Sequence, residues 1–238
     1  MNIILFGPPG SGKGTQADKI SKEFNLHKIS TGDLLREEIK KKSSLGNKIK
    51  DLVDKGTFVS DEIINNLIES IFLNKSYNNN FIFDGYPRTL NQAINFESIL
   101  KKFDKKISIV LSLIVSEENL IKRIIGRQIC SSCGLIFNEF FNSPNNKSHG
   151  CDPKFLKKRS DDNESTIKSR LANYLKLTQP IVKFYSDKKL LRKINGEGEI
   201  SSIYKQIQAI ITSVKAWLYT MYLLNTFTGI VLIKIWLE

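Results

Sequence analysis

The stretch NIILFGPPGSGKGTQ, residues Asn2–Gln16, decides the fold that this sequence predicts. It begins with the apolar run Asn2–Phe6, which is short and ends at a glycine, as a buried β-strand does. Four glycines and two prolines follow within eight positions, so the chain must turn there. Apolar residues then recur at helical spacing, which predicts a helix over Lys13–Phe24. The stretch is therefore a strand, a glycine-rich loop and a helix in succession.

The loop nearly matches the pattern G-x-x-x-x-G-K-[ST], which binds nucleotide phosphates. Gly7, Gly12 and Lys13 occupy its first three fixed positions. Gly14 stands where a hydroxyl would hold magnesium, and Thr15 comes one place later. Glycines let main-chain N–H groups turn toward an anion, and the helix that follows offers its positive end. We therefore predict a nucleotide-phosphate site whose metal is held in another way.

Further apolar runs alternate with helical patterns along the chain. Ser60 and Ser116 each precede acidic residues and are predicted to cap helices. Short strands that alternate with helices predict an α/β fold, with a parallel sheet flanked by helices on both faces. The predicted elements beyond the first stretch are strands in His27–Ser30, Phe81–Gly85 and Ile107–Val115, and helices from near Gly32, from Asp61 to about Leu73, and after Ser116.

The 238 residues suit one α/β domain with one small insertion. Hydrophobic residues make up 41% of the chain and charged residues 25%, which is ordinary for a protein with a packed core. The net charge of +12 lies largely in short lysine clusters, of the kind that cover a solvated surface. Three cysteines cannot close a disulfide framework, and the first apolar run is too short for a signal peptide. We therefore expect an intracellular, cytoplasmic protein.

Four motifs, in this order, resemble the signatures of adenylate kinases. They are GPPGSGKGTQ (Gly7–Gln16), STGDLLR (Ser30–Arg36), FDGYPRT (Phe83–Thr89) and RxDDNExT (Arg159–Thr166). In that family a glycine follows the loop lysine, as Gly14 does here. The resemblance covers residues 1 to about 213 and implies the P-loop nucleoside monophosphate kinase fold. Its domains would be a core of residues 1–127 and 160–213, an AMP-binding helical region at 30–60 and an inserted lid at 128–159; the apolar tail 214–238 is atypical.

The resemblance implies an enzyme that reversibly transfers a phosphoryl group from Mg-ATP to AMP, giving two ADP. Such a transfer needs alignment and charge neutralisation more than a nucleophilic side chain, and arginine forks match phosphate oxygens two at a time. By the family's pattern, two arginines hold the AMP phosphate, two approach the donor phosphates and two close over the transferred group. In that order they are Arg36 and Arg88, Arg123 and Arg127, and Arg159 and Arg170. The implied catalytic set is Lys13, Asp84, Arg88, Arg123, Arg127, Arg159 and Arg170.

Two nucleotide pockets are likewise implied by the resemblance. Gln92 suits the acceptor pocket because its amide can donate to and accept from a purine edge. Phe137 could stack on the donor base or pack within the lid. The ATP pocket comprises Gly10, Ser11, Gly12, Lys13, Gly14, Thr15, Arg127, Ile136, Phe137 and Gly198. The AMP pocket comprises Thr31, Arg36, Thr57, Phe58, Val59, Gly85, Tyr86, Pro87, Arg88, Gln92, Arg159 and Arg170.

Magnesium in this family is held largely through water and by the nucleotide phosphates, which fits the reluctance of Mg²⁺ to lose its waters. Asp84, at the end of a predicted buried strand, is the expected anchor, with Asp33 as a helper. The expected partners are the small molecules ATP, AMP and ADP, bound by a monomer.

The predicted lid carries three cysteines. Cys130 and Cys133 form C-x-x-C, and Cys151 follows after 17 intervening residues, a spacing that fits three ligands of a structural zinc ion. A short lobe with little core gains folding energy from such an ion. We therefore expect zinc as a second cofactor, structural rather than catalytic.

The fourth zinc ligand is left open by the sequence. Metal-bearing relatives place it three residues after the third cysteine, where this chain has Lys154, which does not bind zinc at neutral pH. Asp152 and His149 are the nearby substitutes. The alternative is a metal-free lid stabilised by apolar packing of Leu135, Phe137, Phe140 and Phe141.

The tail contains 18 uncharged residues between Lys215 and Lys234. That length reaches the lower edge of a membrane span, and aromatic residues lie toward its ends. Polar residues and Gly229 interrupt it. Three interpretations stay open: a membrane anchor through residues 216–233, a helix packed on the body or on a partner, and a non-native extension of the reading frame. Membrane contact is expected only in the first case.

Other functions compete with the leading one. A GTP-AMP phosphotransferase is not separated from an ATP-using enzyme by any residue that we can name. Kinases of pyrimidine monophosphates usually have a short lid, so the long insertion disfavours them. A zinc-containing nucleic-acid-binding protein would interleave basic and aromatic residues on its cysteine lobe. From Ile129 to Gly150, however, Lys147 is the one Lys or Arg, so we expect no nucleic-acid partner.

Overall fold

The computed structural model describes residues 1–55, 59–73, 80–144, 149–159 and 161–237, with the backbone alone for residues 222–237. Seventeen helices and strands are defined there, besides a 3₁₀ turn at Pro153–Phe155 and a π-helical turn at Tyr174–Thr178. The strands are β1 (Asn2–Phe6), β2 (His27–Ser30), β3 (Phe81–Asp84), β4 (Ile109–Ile114), β5 (Arg127–Cys130), β6 (Ile136–Asn138), β7 (Leu156–Lys157) and β8 (Leu191–Asn195). The helices are α1 (Lys13–Phe24), α2 (Thr31–Lys40), α3 (Ser44–Asp54), α4 (Asp61–Leu73), α5 (Leu90–Lys102), α6 (Glu117–Ile125), α7 (Glu164–Asn173), α8 (Gln179–Asp187) and α9 (Ile200–Leu237).

Five strands form one parallel sheet in the order β2-β3-β1-β4-β8, with β1 at its centre. The α/β fold class predicted from the sequence is confirmed. The predicted bounds of β1, α1 and α4 agree with the structure, whereas the apolar run Ile107–Val115 contributes the shorter strand β4. Strands β1, β3 and β4 lie side by side, so their carboxyl ends deliver the phosphate loop and Asp84 to one edge of the sheet.

Both faces of β1 are buried, which explains its continuous apolar sequence. Ile4 and Phe6 point into a core formed with α2–α5 and α8, while Ile3 and Leu5 point into a second core formed with α1 and α9. All four side chains are at most 2% exposed. A polar side chain at any of them would lie in a core, so β1 fixes the position of the loop that follows it.

Helices α2 and α3 form a hairpin at the β2 edge of the sheet, within the segment predicted to bind AMP. Ser30 caps α2 by accepting from the N–H of Asp33, and Ser43 caps α3 by accepting from the N–H of Gly46. The two helices approach closely at Gly46, because a Cβ there would lie 2.5 Å from the Glu38 carbonyl oxygen. Leu35 and Ile49 are buried and anchor the hairpin on the core.

The three remaining strands form an antiparallel sheet in the order β6-β5-β7, inside the segment predicted to be the lid. Its strand β5 begins at Arg127, directly after α6 and Gly126. The join is tight, since a Cβ on Gly126 would lie 2.6 Å from the ring of Phe140. The side chain of Asn138 donates to the Arg123 carbonyl at 2.8 Å and so ties β6 to α6.

As far as its side chains are described, helix α9 packs on the core through its first part. Ile203, Ile207 and Ile211 are buried against the α1 side of the sheet, whereas Trp217 and Tyr219 are 61% and 64% exposed. The predicted tail thus continues a core helix into solvent as far as its side chains are described. Among the residues that the structure describes, no helix combines the length and apolar character needed to cross a membrane.

The predicted helix start after Ser116 is confirmed, but the serine side chain does not close it. Ser116 lies at the cap position in an extended conformation, but its hydroxyl makes no cap hydrogen bond. Its main-chain N–H donates to the carboxylate of Glu197. The start of α6 thus meets a charged acceptor from a distant part of the chain.

Candidate active site

The phosphate loop has the conformation that an anion site requires. Gly10 and Gly12 lie in the left-handed region, with φ of 82° and 92°, where other residues are strained. A Cβ on Gly10 would lie 2.7 Å from the carbonyl oxygen of Leu120, so the loop also packs closely on α6. Nothing lies within 4 Å of a Cβ built on Gly12, and no side chain caps the start of α1. The first N–H groups of α1 are thus open to a bound phosphate.

Lys13 is held by the loop itself. Its Nζ donates to the carbonyls of Gly7 at 2.6 Å and Pro8 at 2.9 Å. Burial lowers the pKa of Lys13 to about 8; Asp84 opposes this shift and Arg88 adds to it. Burial likewise raises the pKa of Asp84, against the field of Lys13. Burial thus shifts the pKa of each group in the direction of its neutral form, and the opposite charge of the other group resists the shift.

A cleft of about 960 Å³ opens along the carboxyl edge of the parallel sheet. The predicted residues Thr57 and Phe58 lie outside the described part of the chain. Every other residue predicted for the catalytic set or the nucleotide pockets lines the cleft. These residues are Gly10, Ser11, Gly12, Lys13, Gly14, Thr15, Thr31, Arg36, Val59, Asp84, Gly85, Tyr86, Pro87, Arg88, Gln92, Arg123, Arg127, Ile136, Phe137, Arg159, Arg170 and Gly198.

Two of the arginines are oriented by neighbouring aspartates. Arg127 pairs with Asp162 through two parallel hydrogen bonds, of which Nε to Oδ2 measures 2.7 Å. Arg170 Nη1 donates to Asp161 Oδ2, also at 2.7 Å. Such forks restrict the guanidinium planes to one orientation. The two aspartates belong to the fourth motif, yet they were assigned no role from the sequence, because nothing local shows which arginine each one faces.

Arg159 and Arg88 lie close to other cations of the cleft. No residue that the structure describes hydrogen-bonds to the buried Nε of Arg159. Burial, then the nearby Arg127 and Arg36, lowers the pKa of Arg159 to about 10. Burial, then Arg170, lowers the pKa of Arg88 to about 10 as well. Cations crowded in this way favour an anionic ligand, because it relieves their mutual repulsion.

At the end of the cleft next to β3, the predicted AMP pocket is built on Gly85. Its φ of 78° turns the chain, and its carbonyl accepts from Arg88 Nε at 2.7 Å and from Thr31 Oγ1 at 2.8 Å. A Cβ at this position would lie 2.9 Å from Arg88 Nη2. Val59 is buried and lines the same wall. Glycine is thus needed here both for the turn and for the close approach of the arginine.

Gln92 is engaged by the protein. Its Oε1 accepts from the Arg88 N–H at 2.7 Å, and its Nε2 donates to Asp61 Oδ1 at 2.6 Å. An amide has two donor hydrogens and two acceptor lone pairs, so one of each is left for the predicted purine contact. Asp61, predicted only as the start of a helix, also accepts from Thr89 Oγ1 at 3.0 Å.

At the opposite end lie the predicted ATP residues. Arg123 donates to the Gly196 carbonyl at 2.8 Å and approaches the Ser11 carbonyl at 3.4 Å. Gly198 lines the cleft beside it. Phe137 is 4% exposed, and its ring packs edge-on against His149 at 4.8 Å between centroids. In this structure Phe137 therefore packs within the lid.

The three cysteines converge with His149. One ligand atom from each of Cys130, Cys133, Cys151 and His149 lies within 4.8 Å of the others. Within the described part of the chain, nothing hydrogen-bonds to the buried Nε2 of His149, as expected for a nitrogen that faces a metal. Burial raises the pKa of the Cys130 thiol, but hydrogen bonds, led by that from the Cys133 N–H, outweigh it and lower the pKa to about 6. The residues present therefore fit a tetrahedral Cys₃His metal site.

The structure favours neither Asp152 as the fourth ligand nor a lid stabilised by apolar packing. Asp152 takes no part in the cluster: its side chain accepts from the Lys154 N–H at 2.9 Å and caps the 3₁₀ turn. The proposed apolar packing is also weak, because Phe140 and Phe141 are 59% and 51% exposed and Leu135 is 48% exposed. Among the predicted packing residues, only Phe137 is buried.

Comparison with known proteins identifies the family. A family model described as adenylate kinase matches residues 5–190. The chain belongs to the adenylate kinase family. An adenylate kinase from Pelagibacter ubique (strain HTCC1062) is 46% identical over 211 residues, which are 89% of this chain and 99% of the relative. One from Archaeoglobus fulgidus is 38% identical over 218 residues (91% and 100%), and one from Methanocella arvoryzae is 42% identical over 213 residues (89% and 98%).

Membership of the adenylate kinase family makes this chain a nucleoside monophosphate kinase, as the four motifs predicted. The family match begins inside β1 and ends at Leu190, before β8. It therefore includes the phosphate loop, all six predicted arginines and the whole metal cluster. Gly198 and the tail lie beyond it.

Proposed function

We propose that this chain catalyses reversible transfer of the terminal phosphoryl group of Mg-ATP to AMP, giving two ADP. The observation that carries the proposal is the convergence of the phosphate loop and six arginines on a single cleft.

The roles proposed for the residues follow from this geometry. The open N–H groups at the start of α1 and the Lys13 ammonium bind the donor phosphates. Arg88, anchored on Gly85, binds the phosphate of AMP. The arginines oriented by Asp161 and Asp162 neutralise charge that spreads over the transferred group. Phosphoryl transfer needs alignment and compensation of this kind more than a nucleophile.

Magnesium fits the space beside Asp84. A Cβ on Gly14 would lie 3.6 Å from Asp84 Oδ2, so the absence of a side chain at position 14 keeps this space open for a hydrated cation. Asp84 would hold the ion through its waters, with the nucleotide phosphates as further ligands. When bound, magnesium neutralises phosphate charge. Asp33 is a poorer helper than expected, since it pairs with Arg36 at 2.5 Å.

We further propose zinc as the metal of the lid, bound by Cys130, Cys133, Cys151 and His149. Thiolate and imidazole ligands in a tetrahedral set favour zinc, and such closed sites are structural. The small antiparallel sheet has few buried apolar side chains, so the metal would supply the missing stability. It has no part in the transfer itself.

A coupled assay of ADP formation tests the reaction. The product should require ATP, AMP and magnesium together, and Lys13→Ala or Arg88→Ala should abolish it. Lys154→Ala, on the exposed surface of the lid, is the matched control and should keep full activity. If UMP or CMP replaced AMP without loss of activity, the assignment of AMP as the acceptor would be wrong. Full activity with GTP would instead favour a GTP-AMP phosphotransferase.

A further inference from the structure

The N-terminus of α6 is closed by a carboxylate from a distant part of the chain. The main-chain N–H of Ser116 donates to Glu197 Oε1, and the side-chain amide of Asn119 donates to Glu197 Oε2 at 2.5 Å. The first N–H groups of a helix lack partners within it and lie at its positive end, so a carboxylate is favourable there. These bonds, that from Ser116 first, lower the pKa of Glu197.

Glu197 belongs to a segment, residues 195–198, that is also fixed to the end of β4. The N–H of Gly196 donates to the Ile114 carbonyl at 2.8 Å. A Cβ on Gly196 would lie 2.6 Å from a side-chain atom of Val115, so the segment lies directly against the chain that leaves the strand. The Glu197 carboxylate adds the second attachment, across to α6.

The same segment reaches the donor end of the cleft. The carbonyl of Gly196 accepts from Arg123 Nη2 at 2.8 Å, and Arg123 Nη1 approaches the Ser11 carbonyl in the phosphate loop. Gly198 lines the cleft on the other side of Glu197 in the sequence. Glu197 lines the cleft as well, next to Gly198, whereas Gly196 is connected to the cleft through Arg123.

We propose that Glu197 is a positioning residue for the donor nucleotide. By attaching residues 195–198 to the start of α6, its carboxylate fixes both the Arg123 guanidinium and the main chain at Gly198. The carboxylate itself is occupied by α6 and acts through its two neighbours. This inference rests on the proposed function, because it assumes that ATP occupies this end of the cleft. The inference requires that the variant be impaired in ATP binding alone, since the AMP residues Thr31, Gly85 and Arg88 lie in α2 and in the loop between β3 and α5.

The test measures KM for ATP and for AMP separately in the full-length protein. In Glu197→Ala, KM for ATP should rise about five- to tenfold, as for a lost charge-assisted hydrogen bond, with KM for AMP within twofold of wild type. Glu197→Gln should recover most of the loss, because its amide oxygen still accepts from Ser116. Glu118→Ala is the matched control, because it also removes a carboxylate near the start of α6. The Glu118 carboxylate pairs with Lys122 on the same helix. This variant should leave both KM values unchanged.

The outcomes separate the inference from a simple capping role and from the proposed function. A lower thermal midpoint with both KM values unchanged, or an equal rise in both, would overturn the positioning role. If Glu197→Ala does not fold, Asn119→Leu removes only the partner of Oε2. This variant should raise KM for ATP about twofold, and an unchanged value would overturn the inference.

If wild-type protein does not form ADP from ATP and AMP, the proposed function fails instead. The inference is then decided by direct binding of Mg-ATP to wild type and Glu197→Ala, and equal affinity would overturn it.

Discussion

Arg127 and Asp162 lie opposite each other at the base of the lid, joined by two parallel hydrogen bonds, and the side chain of Asp162 is fully buried. The pair connects the first residue of β5 with the chain just before α7, so it ties the two ends of the lid together. It also fixes the plane of an arginine that lines the cleft. Stability and catalytic geometry therefore depend on the same contact.

We expect Asp162→Asn to impair catalysis. An amide can accept from only one arm of the Arg127 fork, so the guanidinium loses its fixed plane, and a misplacement of about 1 Å can cost ~100-fold in rate. Breaking a buried ion pair should also lower the free energy of unfolding by about 3 kcal/mol. Steady-state kinetics and urea unfolding measure the two effects. Asp187→Asn is the control, because its pair with Lys183 is exposed; equal kinetics in both variants would contradict the expectation.

The pKa of Lys13, about 8 in the nucleotide-free protein, predicts a proton linkage. Below pH 8 the amine is already charged. Above it, a bound phosphate favours the charged form and so raises the pKa, and binding must take up a proton. Affinity for ATP should therefore fall as pH rises above about 8, where the nucleotide's own phosphates, with a second pKa of ~6, no longer titrate.

Calorimetry at pH 8.5 in buffers of different ionisation enthalpy measures this uptake, expected to be at most about three-quarters of a proton per ATP, the neutral fraction of Lys13 at that pH. Lys13→Met should bind ATP weakly and without uptake. Lys183→Met, at an exposed site on α8, should behave as wild type. Uptake that persisted in Lys13→Met would assign the proton to another group.

Metal analysis should decide the fourth lid ligand. Wild type purified without chelator is expected to hold about one zinc, and His149→Ala should lose it while Asp152→Ala keeps it. Loss of the metal should lower the thermal midpoint by about 5–10 °C, since 1 kcal/mol moves the midpoint of a chain of this size by ~2–4 °C. The reverse pattern between the two variants would restore Asp152 as the ligand.

Truncation after Lys215 should leave catalysis intact. The described side chains beyond it, such as Trp217 and Tyr219, are largely exposed, so the free energy of unfolding should change by less than about 0.5 kcal/mol and kcat/KM by less than twofold. A chain that ends at Tyr204 is the contrasting variant. It also loses Ile207 and Ile211, both fully buried, at about 2–5 kcal/mol each, and should not stay folded. A large decrease in the free energy of unfolding on truncation after Lys215 would show that the tail packs on the body.

The sequence by itself determined the elements around the phosphate loop. The strand Asn2–Phe6 and the helix Lys13–Phe24 have the predicted bounds because their signals are local: an apolar run, glycines that permit the turn, and apolar residues at helical spacing. The residues of the cleft are predicted instead by the resemblance to adenylate kinases, because no local signal connects positions as far apart as Arg36 and Arg170. A short apolar strand that is bounded by glycines can pair in few registers within a parallel sheet that is buried on both faces.

Only the tertiary structure decided how charges and polar groups are paired. Asp162 pairs with Arg127, 35 positions away, and Glu197 accepts from the N–H of Ser116, 81 positions away. His149, rather than Asp152, joins the cysteines. Each choice depends on which side chains the folded chain brings within about 3 Å, or within reach of one ion, and no periodicity in the sequence encodes such long-range distances.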